Sequence, residues 1–247
     1  MRDSRWRLFL GFIGLEPSSV THTEKLISGL GAFLGILSTF LISRQFLDTQ
    51  GTIFLVSSMG ASAVLLFGVP HGALSQPWPL LGGHLCSALV GVACSRWIIE
   101  PIFAASLAVG MSMLLMHYAR CIHPPGGATA LTAVIGGTQI QQLGFAYLLF
   151  PVALNVFAIL LTAFLFNALF KWRRYPACLA QRSFRPDMVP RESLHYALRQ
   201  MDSFIDVSEE DLEEIYKLAT KHAQGSLSPV KTGKEPREKV EAPKATL

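Results

Sequence analysis

Charge is scarce where a soluble protein would need it. From Leu26 to Phe170 the charged residues are Arg44, Asp48, Arg96, Glu100 and Arg120, and residues 49–95 and 121–170 carry none. A folded soluble domain must still present a wet surface, so uncharged runs of this length exclude one here. Acidic residues are scarcest: Asp48 and Glu100 alone lie in this region, each near the end of an apolar run. That excludes paired-carboxylate catalysis, and no Ser–His–Asp pattern replaces it, so the chain is not expected to be an enzyme. Cys86, Cys94, Cys121 and Cys178 have no metal-ligand spacing; they read as small apolar residues, and neither a metal nor a cofactor is expected. No basic stripe with interleaved aromatics is present, which argues against nucleic acid. The N-terminal apolar run Leu8–Leu15 is short, interrupted by Gly11 and Gly14 and followed by Glu16-Pro17. It makes a poor signal peptide, and Arg5–Leu15 is expected to lie on a membrane surface.

What is present is apolar sequence in lengths that suit a bilayer. A spanning helix needs about 20 largely apolar residues. Leu26–Ser43, Thr52–Val69, Pro79–Ile99, Pro101–Ala119 and Leu143–Phe170 qualify or nearly so, and Pro124–Gly137 is shorter. The basic residues flank this block: Arg2, Arg5, Arg7 and Lys25 before it, and Lys171, Arg173, Arg174, Arg182 and Arg185 after it. Basic flanks mark the cytoplasmic side. The expected organisation is an N-terminal cytosolic or interfacial segment (1–25), a transmembrane domain (26–174), a cytosolic linker with short helices (175–223) and a disordered tail (224–247). Within the linker, Arg191–Met201 and Glu209–His222 have helical apolar spacing, and Ser208 suits an N-cap.

An internal echo organises the block. Gly60-Ala61-Ser62-Ala63-Val64-Leu65 resembles Gly127-Ala128-Thr129-Ala130-Leu131-Thr132, offset by 67 residues. A glutamine-bearing loop follows each, with Gln76 in the first and Gln139, Gln141 and Gln142 in the second. The fold class expected is all-α: a polytopic helical membrane protein built from two long–short–long helix repeats, residues 26–99 and 101–170, plus a short cytosolic helical tail. It makes four full spans with two short or re-entrant helices, or six spans. Either even number puts both termini in the cytoplasm, and the inner (plasma) membrane is the expected location.

The most unusual run is His123-Pro124-Pro125-Gly126-Gly127-Ala128-Thr129-Ala130-Leu131. Two prolines cannot continue a preceding helix but start a new one well. Two glycines let backbone or a ligand approach closely. A helix start within the membrane presents N–H groups and a positive dipole end, which suits an anion. Ser57-Ser58-Met59-Gly60-Ala61-Ser62 is expected to mirror it with a second, hydroxyl-lined helix start. The candidate substrate-binding residues are Ser58, Gly60, Ala61, Ser62, Arg120, His123, Pro124, Pro125, Gly126, Gly127, Ala128 and Thr129.

HPPGGATAL resembles the signature of the HPP family of integral membrane proteins. The run from Gly60 to Phe67, Ser75-Gln76-Pro77, Gly83-His84 with Ser87–Gly91, and Tyr175-Pro176 are similar to that family as well. The resemblance covers roughly residues 20–225 and implies four spans. It also implies a relation to plastid and cyanobacterial nitrite transporters, through a bacterial member without the nucleotide-sensing CBS module pair. Trp78 stands where the family pattern leads one to expect a basic residue. The function expected is a transporter or channel for a small monovalent anion such as nitrite. The alternative is a non-transporting anchor or sensory protein whose cytosolic tail binds a partner. The partners expected are a small inorganic anion, the lipid bilayer and, through the small-residue faces Gly29/Gly31/Gly35 and Gly82/Gly83/Gly91, a second copy of the chain.

His84 and Asn155 read as interhelical hydrogen-bonding residues, Arg96 and Glu100 as an interfacial pair, and His71 and His117 as structural. The phenylalanines of the last span, Phe157, Phe164, Phe166 and Phe170, read as lipid-facing.

Overall fold

A computed structural model describes residues 12–13, 20–179, 212 and 215–216. The expectations for Arg191–Met201, the tail and most of Glu209–His222 and Arg5–Leu15 fall outside the described residues; Leu212, Ile215 and Tyr216 are helical. Among the described residues the chain is all helix and turn, without strands. Its main helices are α1 (His22–Ser43), α2 (Thr49–Gly68), α3 (Pro77–Trp97), α4 (Pro101–Tyr118), α5 (Pro125–Ile135), α6 (Thr138–Leu143) and α7 (Leu148–Ala168). Five of them, α1 to α4 and α7, are long and apolar enough to cross a membrane.

Local chemistry sets the helix ends. Thr21 accepts from Glu24 N–H at 3.2 Å and caps α1. Asp48 accepts from Gly51 N–H at 2.7 Å and caps α2. Glu100 accepts from the Ile102 and Phe103 amides at the start of α4, with Pro101 at the first helical position. Arg96 and Glu100 therefore do not pair: Arg96 lies over the Phe145 ring instead, 5.6 Å from its centroid.

The second element differs from expectation. Gly60 does not start a helix: it lies inside α2, a full-length helix of 20 residues. Nothing upstream of Gly60 forbids helix, and the run from Thr49 to Met59 contains no proline. A mid-helix glycine costs only about 1 kcal/mol, so α2 runs straight through it. The first unit is accordingly long–long–long, and the mirrored helix start does not form. In the second unit Pro124-Pro125 does forbid it. α4 ends in a Schellman turn, with Cys121 N–H donating to Met116 C=O (2.9 Å) and Arg120 N–H to His117 C=O (3.2 Å). Arg120 takes the left-handed position at φ 54°, where glycine is usual. Extended chain through Cys121 and His123, both fully buried, then leads to α5.

This extended stretch plus α5 makes a sixth pass through the bundle. Its entry lies at the end where Trp78 Nε1 donates to Ala119 C=O (3.2 Å). Its exit lies at the opposite end, where Gln139 accepts from the Asp48 amide between α1 and α2. The start of α1 and the chain after α7 consequently share one end, where Arg173 binds Glu24. The four-span count implied by resemblance is replaced by five long helices and one broken pass.

α7 is the least regular helix. Its first turns, Leu148–Ala153, are wide and contain Pro151 and the non-helical Phe150. Phe157 and Phe164 face outward, but Phe166 is buried edge-on against Phe67, with ring centroids 5.8 Å apart. The last span is thus not uniformly lipid-facing.

The glycines set how closely helices approach. A Cβ on Gly31 would lie 2.5 Å from Phe67, and one on Gly91 would lie 2.6 Å from the Ala130 carbonyl oxygen and 2.8 Å from Ala133 Cβ. Gly31, Gly35, Gly82, Gly83 and Gly91 are therefore consumed inside the chain, while Gly29 faces open space. Gly91→Ala should cost about 2 kcal/mol through overpacking of α3 on α5. Gly60→Ala, with nothing within 4 Å of the new Cβ, should stabilise α2 by up to about 1 kcal/mol. Thermal denaturation in detergent checks both: equal melting temperatures for the two variants would refute the packing argument.

Candidate functional site

Where the broken pass meets α2 and α3, the interior of the bundle is polar. Ser58, Ser62, His84, His123 and Thr129 are all fully buried and joined to one another. Ser58 and Ser62 are one turn apart on the inner face of α2. His84 projects from α3, beyond Gly83, whose missing Cβ makes room for His123 (a Cβ there would lie 2.5 Å from His123 Cβ). Thr129 sits one turn into α5.

The hydrogen bonds form one chain. His123 Nδ1 lies 2.9 Å from the Leu74 carbonyl oxygen. A carbonyl accepts only, so Nδ1 carries the proton and Nε2 of the neutral ring is an acceptor. Ser62 Oγ is 2.8 Å from that Nε2 and must donate to it. Ser62 is also 2.8 Å from His84 Nε2. Its single proton is already used, so His84 Nε2–H donates to Ser62. His84 Nδ1 is then an acceptor and takes the Thr129 hydroxyl proton at 2.7 Å. Two longer contacts border the chain: Ser62 Oγ to the Ser58 carbonyl (3.4 Å) and Thr129 Oγ1 to Ser58 Oγ (3.2 Å). Tyr147, also buried, donates to the Thr129 carbonyl at 3.4 Å. The two imidazole rings lie 5.0 Å apart.

The structure brings Ser58, Ser62, His123 and Thr129 together and disperses other candidates. Gly60 and Ala61 lie on the outer side of α2, Gly60 lining an apolar groove with Phe33, Ile36, Phe40 and Val64 from α1 and α2. Arg120 and Pro124 are exposed. The two glycine amides at the start of α5 are closed within the turn: Gly126 N–H donates to His123 C=O (2.8 Å) and Gly127 N–H to Pro124 C=O (3.0 Å). Gly126 serves packing, since a Cβ there would meet Ser87 Oγ at 2.7 Å and the Gly83 carbonyl oxygen at 2.8 Å. Gly127 is half-buried toward Val109 with ordinary spacing, 3.8 Å, and Ala128 is half-buried too. The polar groups of the cluster are therefore hydroxyls and imidazoles rather than backbone amides.

His84 is an interhelical hydrogen-bonding residue, as expected, but it also stands at the centre of the cluster. An ionisable residue in an uncharged apolar run was the available signal. Tyr147 and the Leu74 carbonyl gave none. Asn155, the other polar residue expected to bridge helices, donates to Ser43 Oγ at 2.8 Å.

At the basic end a second network is charged. Arg173, 1% exposed, binds Glu24, Ser28 Oγ (3.1 Å), Asn167 Oδ1 (3.2 Å) and the Phe67 carbonyl (2.5 Å). Nearby, His71 Nε2 meets the Arg174 carbonyl (3.0 Å) and Tyr175 donates to the Ser75 carbonyl (2.8 Å). Burial pushes the Tyr175 phenol above its ordinary value. Gln76 closes the same loop onto Pro70, Gly72 and Ala177.

Residues 17–176 match the family described as HPP, transmembrane region. The chain belongs to the HPP transmembrane family. With its apolar helices, that makes it a multi-pass membrane protein. It is 42% identical over 153 residues to one transmembrane protein of Dictyostelium discoideum and 41% identical over 152 residues to another. Each alignment covers 60% of this HPP chain, and 49% and 53% of the relatives. The chain thus spans about half their length. These relatives are not bacterial, so they do not carry the bacterial origin expected from resemblance. No solved structure matches.

Ser62→Ala would leave His123 Nε2 and His84 Nε2–H without their shared partner. Unmade buried hydrogen bonds cost about 1–3 kcal/mol per group, so the variant should melt well below the wild type. Ser57→Ala, on the exposed side of α2 and bonded only to its own helix at Ile53 C=O, should melt with it. Coincident melting of S62A and wild type would remove the cluster's structural role.

Proposed function

We propose that this HPP protein is a carrier for a small monovalent anion, not an enzyme, and that nitrite is among its substrates. The observation that carries this reading is the buried chain of neutral donors and acceptors at the broken pass. Polar side chains at such depth are costly unless they are used or fully paired. The hydroxyl and imidazole donors of Ser58, Ser62, Thr129 and the two histidines are engaged within the protein in this structure, and an anion would bind by taking over some of those hydrogen bonds. Among the described residues the carboxylates are Glu24, Asp48 and Glu100. All three sit at helix starts, engaged with Arg173 or with capped amides, so none repels an anion at the cluster. Arg120, exposed at the entry of the broken pass, would draw anions toward it. Nitrite itself is suggested by resemblance to nitrite-transporting family members.

Purified protein in liposomes should raise nitrite uptake above empty vesicles. Thr129→Val and His84→Gln should each lower the rate about tenfold, the equivalent of one lost hydrogen bond to a charged group. No uptake above background, for nitrite or nitrate, would sink the carrier reading.

The orientation follows from the basic end. Lys25, Lys171, Arg173 and Arg174 cluster where α1 begins and α7 ends, and we assign that end to the cytoplasmic face of the plasma membrane. Cys178 is exposed there. A membrane-impermeant thiol reagent should label it from the cytoplasmic side, and labelling from the opposite side would reverse the assignment.

A further inference from the structure

We infer that the His84–Ser62–His123 bridge loads one proton with each anion, making the protein a proton–anion symporter. This rests on the anion-carrier reading above and supplies its driving force.

The argument starts from hydroxyl geometry. A hydroxyl has one proton and two acceptor lone pairs. In the neutral network Ser62 donates to His123 Nε2 and accepts from His84 Nε2–H. If a proton binds His123 Nε2, that nitrogen becomes a donor. Ser62 can then accept from both rings and turn its own proton to the Ser58 carbonyl, 3.4 Å away. The same holds at the other acceptor nitrogen. A proton on His84 Nδ1 would donate to Thr129 Oγ1, and Thr129 would turn its proton to Ser58 Oγ at 3.2 Å. Each acceptor nitrogen therefore faces a hydroxyl that has a second acceptor within reach. One added proton leaves no donor stranded, and Ser62 lies between the two rings that would share it.

The surroundings make the charge conditional on an anion. The titratable groups near the rings are Tyr147, hydrogen-bonded to the Thr129 carbonyl, and the Cys121 thiol packed where Gly82 lacks a Cβ. Cys86 lies on α3 nearby. His71, in the loop that offers the Leu74 carbonyl, is held on the Arg174 carbonyl, and on α4 His117 is exposed, as is Arg120 after it. No carboxylate of the described residues faces the cluster, since Glu24, Asp48 and Glu100 cap helices or pair with Arg173. An imidazolium there has no fixed counter-ion, and an unpaired buried charge is strongly unfavourable. An anion bound against it would remove that cost, and by linkage the proton would tighten the anion equally. The proton comes from water on one side and leaves to water on the other with the anion. No net charge moves.

The test uses the full chain in liposomes with nitrite as the probe, empty vesicles being subtracted for leakage of the neutral acid. A potassium potential is clamped with valinomycin at either sign, without a pH gradient, and a luminal pH dye is read. Symport predicts the same nitrite rate at both signs and luminal acidification that follows nitrite entry. Flux that follows the sign of the potential, with no proton signal, overturns the symport inference and leaves the carrier reading intact. Absence of flux removes both. His123→Gln, which cannot take up a proton, should lose the proton signal if it folds. An unchanged proton signal in both folded H123Q and folded H84Q would also overturn the inference. Should either variant fail to fold, the wild-type comparison of potentials decides alone.

Discussion

A peptide chain inside a bilayer must satisfy its own backbone, and Pro124-Pro125 makes that impossible for one uninterrupted helix. What surrounds the break answers this constraint. The Schellman turn at Arg120 takes up the last carbonyls of α4, and the first amides of α5 close onto His123 and Pro124. The broken pass can be this tight because α3 presents Gly82 and Gly83 to it and α5 presents Gly126 to α3. His123 is carried inward by the same geometry, and its Nδ1 is fixed by the Leu74 carbonyl. The place of His123 in the polar centre thus follows from the break.

The two polar networks of the bundle divide the electrostatic work. At the basic end Arg173 is permanently charged and buried, with an acidic partner, two side-chain oxygens and a carbonyl around it. Removing one partner from such a site is costly because the remaining charge stays buried. That network fastens the start of α1 to the end of α7. The central network has no permanent charge. Its members are neutral, amphoteric and each within reach of more than one partner. A centre of this kind keeps its structure when its protons rearrange, which a fixed ion pair does not.

The membrane character, the helix count to within the broken pass, and the break itself were legible because each has a one-dimensional cause: charge depletion, apolar length and two consecutive prolines. Ser58, Ser62, His123 and Thr129 are legible as a group, although Ser58 and Ser62 lie inside a continuous helix and not at a helix start. Gly60 reads as a helix start only by analogy with Gly127. Without an upstream proline, the analogy fails, and the two serines meet the site from the side of a continuous helix. The fate of Gly126 was not legible either. Whether a glycine opens a ligand site or admits a neighbouring helix depends on what faces it, here Ser87 and the Gly83 carbonyl. Arg96 turned from Glu100 to Phe145 for a similar reason, since Glu100 was already committed to the amides of α4.

The internal echo gains chemical content in three dimensions. With an offset of 67 residues, Ser62 corresponds to Thr129. These two hydroxyls bind opposite nitrogens of the same ring, Ser62 at Nε2 and Thr129 at Nδ1 of His84. His84 is therefore held between equivalent positions of the two units, one on α2 and one on α5. The units differ just upstream, where Val56-Ser57-Ser58 in the first aligns with His123-Pro124-Pro125 in the second. That difference places a second imidazole beside Ser62 on one side only. A symmetric pair of unbroken helices would give His84 two hydroxyl partners and nothing further for a proton to reach. The break extends the chain by one amphoteric group, from Ser62 to His123, and toward the loop carbonyl of Leu74 near the basic end. Directionality in the polar centre comes from the asymmetry between the repeats.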